Sequence, residues 1–90
     1  MKINLLMKVY TEDNSIVLNY TKVYESDTAP SMGMKIKDSL FAQYKNIIEV
    51  VLDYSNDECF VRLEPKLETK ERLSGHIQEV AELHNWVLLK

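Results

Sequence analysis

Two histidines carry the most versatile chemistry in this chain, because imidazole can bind a metal ion or transfer a proton near neutral pH. His76 and His84 are eight residues apart in the sequence. On a helix this separation corresponds to about 12 Å along the axis, which is more than one metal ion can bridge. We therefore interpret both histidines as surface or partly buried side chains, and we predict no metal site and no cofactor.

Cys59 is the single cysteine, so it cannot form a disulfide within the chain. The pattern around it predicts that it faces the core, where a free cysteine acts as a small hydrophobic residue. Three carboxylates, those of Glu49, Asp53 and Glu64, fall on the opposite side. A solvated acidic surface explains them more simply than a divalent-metal site does. Since no catalytic set can be assigned, we predict that the chain is not an enzyme.

The composition is that of one globular domain spanning residues 1–90. Hydrophobic residues make up 46% of the chain and charged residues 28%, which suits a single core at this length. The net charge of −3 disfavours nucleic-acid binding, which draws affinity from basic residues that neutralise phosphates. No spanning helix is expected, because no run approaches about 18 apolar residues, and no signal peptide is expected, because Lys8 interrupts an already short apolar run. We expect a soluble cytoplasmic protein, and the richness in Lys, Ile, Asn and Tyr suggests an AT-rich bacterial or phage genome.

The clearest structural signal is a β-hairpin over residues 47–65. If Asn56 and Asp57 form the turn, one register sorts the apolar residues from the charged ones, and a slip of one residue would invert the sorting. That register predicts the pairs Tyr54 with Cys59, Leu52 with Val61, and Val50 with Leu63, and it adds Ile48 to the same buried face.

A second hairpin is predicted over the first 25 residues, with turn chemistry at residues 12–15. Its register predicts the pairs Val9 with Leu18, Met7 with Tyr20, Leu5 with Lys22, and Ile3 with Tyr24. Lys22 is the exception on this otherwise apolar face, and its ammonium group is expected to reach water at the end of a long stem.

The middle of the chain contains a predicted flexible loop at residues 26–33. After a short strand, Asp38 and Ser39 provide a helix N-cap. A short helix over residues 39–46 is the prediction there, and an irregular strand is the alternative.

The C-terminal third contains the more secure helix. Thr69 can cap it, and its apolar stripe at residues 73, 77, 80 and 81 has the helical period. Gly75 interrupts this pattern, either to permit close packing on the sheet or to mark a bend. Asn85 is the predicted helix stop, and residues 86–89 follow as a short strand.

These elements predict an α+β fold. Its antiparallel sheet contains two β-hairpins plus a short C-terminal strand, and one long C-terminal helix packs on one face, with or without the short middle helix. The order is ferredoxin-like, βαββαβ, with an extra N-terminal strand. An antiparallel meander crossed by one helix is the simpler alternative.

An outward-facing apolar patch gives the functional prediction. The residues predicted to bind a partner are Leu6, Tyr10, Val17, Val23, Phe60 and Arg62. Exposed apolar patches of this kind often mark interfaces. We therefore predict a small non-catalytic binding or regulatory module that acts through its sheet face or edge. Its expected partner is another protein or a second copy of the chain, with no membrane involved.

Two alternatives use other features of the sequence. A single-stranded nucleic-acid-binding domain would use the exposed aromatic residues Phe60 and Tyr10 together with the basic residues Arg62 and Lys8. A small enzyme or ligand-binding domain would have its pocket under the loop at residues 26–33.

Overall fold

The computed structural model describes residues 1–41 and 43–89, and at Ser74 it describes the backbone alone. Strands account for 46% of the chain and helical residues for 15%. In chain order the elements are β1 (Lys2–Tyr10), β2 (Val17–Glu25), β3 (Lys35–Ile36), β4 (Lys45–Asp53), β5 (Glu58–Leu63), β6 (Lys66–Leu67), a π-helical segment (Arg72–His76), α1 (Ile77–Leu83) and β7 (Val87–Leu89).

β1 lies in the middle of a curled mixed sheet with the strand order β3-β4-β5-β1-β2-β7. It pairs antiparallel with β2 on one side and parallel with β5 on the other. β6 continues the second side by pairing in parallel with Val9 and Tyr10. A strand with partners on both sides tolerates an almost continuous apolar sequence, and residues 3–7 of β1 contain only one polar side chain, that of Asn4.

The predicted register of the first hairpin is confirmed, since all four predicted pairs occur between β1 and β2. Asn14 adopts a positive φ of 60° in the connecting loop, which an asparagine tolerates better than most residues. Tyr20 is buried as expected, whereas Tyr24 is exposed. Lys22 does not reach water: its side chain is only 12% exposed and pairs with Asp38.

The second hairpin exists, but its predicted register is wrong by two residues. Leu52 lies opposite Cys59, and Asp53 opposite Glu58, so four residues rather than two form the turn. The carboxylate of Asp53 stabilises this wider turn by accepting hydrogen bonds from the backbone and side-chain amides of Asn56. Because the shift is even, it keeps the apolar face intact. Tyr54 leaves the ladder and is 80% exposed.

The start of β4 differs from the predicted regular alternation, because the register shifts between Ile47 and Glu49. Such a bulge inserts one extra residue and changes which side chain faces the core. Ile47 is therefore buried, and Ile48, which the regular pattern assigned to the buried face, is exposed.

The predicted fold class is also wrong. The sheet is mixed rather than antiparallel, and the described residues form one short α-helix of seven residues rather than a long helix packed on a sheet. The ferredoxin-like order fails because β1 pairs in parallel with β5. Among the described residues of the predicted middle helix, Ser39 and Leu40 form a turn, and Lys45 already belongs to β4. Ala42 lies outside the described residues.

The C-terminal helical region begins with π-helical hydrogen bonding and ends in a Schellman motif. The π-segment, which contains Gly75, shortens α1. At the other end, Asn85 adopts a φ of 65°, so its prediction as the helix stop is confirmed. The amide of Trp86 then donates to the carbonyl oxygen of Ala81 at 2.9 Å, and that of Asn85 to Glu82 at 3.1 Å. No helix in the described part of the chain is long and apolar enough to cross a membrane.

The core lies between one face of the sheet and the helical region. We call this the inner face and the opposite one the outer face. The buried apolar residues are Ile3, Leu5, Met7, Val9, Tyr20, Phe41, Ile47, Cys59, Val61, Leu63, Leu73, Ile77, Ala81 and Trp86. The rings of Phe41 and Trp86 lie 5.6 Å apart, which joins the loop before β4 to the segment between α1 and β7.

Gly75 provides a test of the helical region. A Cβ atom at this position would meet no other atom within 4 Å, so close packing does not require the glycine. We expect Gly75→Ala to raise the free energy of unfolding by about 0.5–1 kcal/mol, because alanine loses less backbone entropy in a helix. Urea denaturation measures the change. Gly33→Ala is the matched control, and it should destabilise the protein because Gly33 has a φ of 91°. Destabilisation by both substitutions would contradict this account of Gly75.

Candidate functional site

All six residues that we predicted to bind a partner project from the outer face. They alternate with the buried residues of the three central strands, and β1 contributes Leu6 and Tyr10, β2 Val17 and Val23, and β5 Phe60 and Arg62. The strand registers place them in two groups. Tyr10 and Val17 oppose each other at one end, and we call them the distal pair.

The other group forms a row across the sheet. Phe60 has Val51 beside it on β4 and Asn4 on β1, and Val23 follows on β2. Leu6 adjoins this row from the next outward-facing position on β1, and Arg62 lies opposite Leu6 on β5. We call Leu6, Val23, Val51 and Phe60 the central patch. About 20 Å of strand separates Asn4 from Tyr10, so the predicted patch is divided in two.

The outer face exposes more apolar surface than the sequence prediction included. Val23 is 47% exposed and Phe60 is 36% exposed. Four further apolar side chains on this face have exposures between 46% and 60%: Ile48, Val51, Val87 and Leu89. The alternation in β4 and β7 is the signal that could have identified three of them. Ile48 could not be found in this way, because the bulge displaces it.

A groove of about 500 Å³ lies on the outer face beside Leu6. Ile48 and Leu89 add apolar walls, while Lys8 and Arg62 contribute cationic groups. Arg62 Nη2 lies 3.8 Å from Glu49 Oε1, and both side chains are more than half exposed. Exposed pairs of this kind contribute little stability, so the guanidinium of Arg62 can exchange this contact for one with another molecule.

The Asp38 carboxylate forms the most developed polar network in the described part of the chain. Its Oδ2 accepts hydrogen bonds from Lys22 Nζ at 2.8 Å and from the hydroxyl of Tyr24. Its Oδ1 accepts from Trp86 Nε1 at 3.0 Å and from the Leu40 amide at 2.9 Å. The side chain of Asp38 is fully buried. Both oxygens are satisfied by donors from the protein, so the network anchors the loop after β3 to β2 and to Trp86.

The charges in this network stabilise each other. Burial by itself would raise the pKa of Asp38, but the hydrogen bonds from Lys22, Tyr24 and Trp86 lower this pKa well below its usual value. Burial would likewise lower the pKa of Lys22, and its hydrogen bonds to Asp38 and Tyr24 raise it instead. Both groups therefore stay charged at neutral pH, so neither acts there as a proton-transferring acid or base. The sequence analysis missed this pair because nothing in a single sequence connects residue 22 to residue 38.

Two other groups with reactive chemistry are buried. Cys59 is fully buried, and burial raises the pKa of its thiol, which disfavours the nucleophilic thiolate. Tyr20 is 2% exposed, and its hydroxyl has no hydrogen-bond partner among the described residues. Burial, with a smaller effect from Glu82, raises the pKa of Tyr20. Neither group is accessible to a substrate.

The histidines lie apart from these features. His76 is exposed in the π-helical segment, and His84 is half-buried just after α1. No three His, Cys, Asp or Glu side chains within residues 1–41 and 43–89 are grouped so that they could hold a metal ion.

A smaller cleft of about 330 Å³ lies next to the loop at residues 26–33. Pro30 and Ile36 line it, with Ile3 and Leu5 beneath them. The cation in its lining, Lys37, already donates a hydrogen bond to the carbonyl oxygen of Phe41. Tyr24, Glu25 and Ser26 are the other polar residues of this lining, and the hydroxyl of Tyr24 already donates to Asp38.

Comparison with known protein families, with curated proteins and with solved structures finds no match for this chain.

Removing the Asp38 carboxylate should strongly destabilise the fold. Asp38→Ala leaves the ammonium group of Lys22 and the indole N–H of Trp86 buried without their acceptor, which typically costs about 3–5 kcal/mol. Urea denaturation at pH 7 measures the loss. Asp27→Ala, at an exposed position of the neighbouring loop, is the control and should change the unfolding free energy by less than about 0.5 kcal/mol. Equal, small effects of the two substitutions would contradict the anchoring role.

The same carboxylate predicts a pH dependence. The folded state lowers the pKa of Asp38, so the contribution of its charge is present above the unfolded pKa of about 3.9 and disappears as the pH falls. Asp38→Asn lacks this charge. The difference in unfolding free energy between wild type and this variant should therefore narrow by about 1.4 kcal/mol per pH unit between about pH 4 and 2. Urea titrations at several pH values measure it, and a difference independent of pH would disprove the assignment.

Proposed function

We propose that this chain is a non-catalytic binding module whose outer face contacts a protein partner. The observation that carries the proposal is the exposure of the central patch. Val51 and Phe60 are neighbours on β4 and β5, Val23 lies on β2 beyond Asn4 of β1, and each of the three apolar side chains is at least 36% exposed. The helical region packs on the inner face, so it does not cover these side chains. Large apolar side chains exposed close together on one face are typical of interaction sites.

The chemistry around the central patch fits a protein interface better than a small-molecule site. Aromatic residues and arginine are enriched at the centres of interfaces, and Phe60 and Arg62 lie two residues apart on the same face. The groove beside Leu6 provides a recess in which a partner's apolar side chain would be buried. Lys8 and Arg62 at that groove favour a partner that carries a carboxylate next to its apolar contact residue.

The nucleic-acid alternative receives less support from the geometry. A single strand needs aromatic rings within reach of successive bases. Phe60 lies beside Asn4, about 20 Å along β1 from Tyr10, and Lys8 Nζ already lies 5.4 Å from the centre of the Tyr10 ring.

A charged substitution in the central patch tests the proposal. The double variant Val23→Lys with Phe60→Lys should lose at least tenfold of the partner recovered by affinity capture from nuclease-treated extract, because each ammonium group would have to be desolvated in the interface. Circular dichroism should show an intact fold, since both positions are exposed. The captured protein is then purified, and its affinity is measured by calorimetry.

Leu83→Lys provides the matched control, because it introduces the same charge at an apolar residue of α1 that is 78% exposed. It should leave capture unchanged. Tyr10→Lys with Val17→Lys tests the distal pair separately and shows whether the interface reaches that end of the outer face. Equal capture by wild type and by the Val23 and Phe60 double variant would refute the proposal, and fluorescence titration with short RNA and DNA at low salt would then test the alternative.

A further inference from the structure

The free edge of β4 leaves backbone hydrogen-bonding groups without a strand partner among the described residues. β3 covers only the beginning of this strand, where Ile36 pairs with Lys45 and Lys35 with Asn46. The amide of Ile47 also reaches the carbonyl oxygen of Met34, at 3.4 Å. From residue 48 to residue 53 the strand pairs with β5 on one side, and no described strand pairs with its other side. Alternate backbone N–H and C=O groups of this segment therefore point to an open edge.

This edge is protected only in part, by the bulge at its start and by the carboxylates of Glu49 and Asp53. Residues 48–53 contain no lysine and no proline, which are the usual blocking residues. Val51 and Leu52 are 50% and 41% exposed. The exposure of Leu52 is informative, because this residue faces the same side as the fully buried Cys59 opposite it. Its exposed side chain marks the boundary where the core ends and no further strand follows.

The opposite edge of the sheet is better protected. β7 covers residues 19–21 of β2. Beyond them, the side chains of Lys22 and Tyr24 bind Asp38, and the part of β2 without a second strand partner is the four residues 22–25. β7 itself offers only three residues. The edge of β4 is therefore the longest open one within the described residues.

We propose that β4 pairs antiparallel with β4 of a second copy of this chain, around a two-fold axis at Val51. A strand in antiparallel pairing with itself satisfies the open backbone groups of both copies at once, and a two-fold axis makes the contact self-complementary. The axis is perpendicular to the sheet. The inner faces of the two copies therefore form one continuous surface, and so do the two outer faces.

The register follows from where β4 is regular. With the axis at Val51, the segment 49–53 of one copy opposes the same segment of the other, clear of the bulge and of the turn. Val51 then opposes Val51, and Val50 opposes Leu52. An axis at Val50 would instead oppose Leu52 with the bulge residue Ile48, which is displaced from the inner face. The chosen register has one unfavourable contact, Glu49 opposite Asp53, which occurs twice and weakens the dimer.

This dimer is independent of the partner contact proposed for the outer face, although the two are compatible. The two-fold axis places both outer faces on the same side of a continuous sheet, so the two central patches would adjoin at Val51.

The experiment is sedimentation equilibrium of the purified full chain up to about 0.5 mM. Wild type should show a monomer–dimer equilibrium. Val51→Lys should weaken dimerisation at least tenfold, because two ammonium groups would then oppose each other at the axis. Val23→Lys is the matched control. Val23 lies on the same face as Val51 and has a similar exposure of 47%, but it is far from β4, so this substitution should leave the dimer unchanged. Glu49→Gln should strengthen the dimer about three- to tenfold by removing both like-charge pairs.

A cysteine crosslink tests the register. Val51→Cys should form an intermolecular disulfide on mild oxidation, since directly opposed residues of antiparallel strands lie within disulfide range. Wild type should not crosslink, because its Cys59 is fully buried. A wild-type chain that stays monomeric at the highest concentration would overturn the proposal, and so would equal weakening by Val51→Lys and Val23→Lys. A dimer that neither substitution affects would place the contact elsewhere and would overturn it as well.

Discussion

The two-sided pairing of β1 is the constraint on which the rest of this structure depends. Its antiparallel contact with β2 forms one hairpin, and its parallel contact with β5 attaches the other hairpin to it. Without the second contact, the sheet would fall into two small pieces, β7-β2-β1 and β5-β4-β3, whose third strands have only two or three residues, and a two-stranded hairpin is only marginally stable in water. The parallel contact also determines which residues share a face. Ile3 lies beside Cys59, and Leu5 beside Val61, so the buried sides of the two hairpins form one surface for the helical region to cover.

The Asp38 network fixes the position of segments that strand pairing does not hold. One buried carboxylate connects β2, the loop before β4 and the residue that ends the Schellman motif. An apolar contact at the same place would pack these segments without fixing their orientation, whereas a carboxylate with four donors accepts only one arrangement. The aromatic contact of Phe41 with Trp86 follows from this arrangement, because both rings are adjacent to groups that bind Asp38.

The sequence predicted the features that depend on local patterns of residues, and it failed for those that depend on contacts between different segments of the chain. The first hairpin register was right because alternation and turn residues both lie within residues 2–25. The second kept its face but not its register, since the Asp53 side chain selected a wider turn that alternation alone cannot distinguish. The parallel β1–β5 contact, the bulge at Ile48 and the Lys22–Asp38 pair were unpredictable, because each depends on segments that meet only in three dimensions.

The prediction of the binding residues also succeeded where local alternation was sufficient and failed where the order of the strands mattered. Alternation was sufficient to place Phe60 and Arg62 on the outer face together with Leu6. It could not divide the predicted patch into two groups, because that division depends on where β5 aligns along β1. The free edge of β4 was likewise invisible in the sequence, since a strand becomes an edge only through the order of the sheet.

The strands on either side also have an evolutionary consequence for the segment between β2 and β3. Its two ends are fixed independently, one by the pairing of Glu25 with Lys2 and the other by the pairing of β3 with β4. The intervening residues at positions 27, 28 and 31–34 are exposed. Because closing a loop of twice the length costs only about 0.6 kcal/mol more, this segment is where descendants of the chain can lengthen, shorten or acquire new sequence while the sheet around it stays the same.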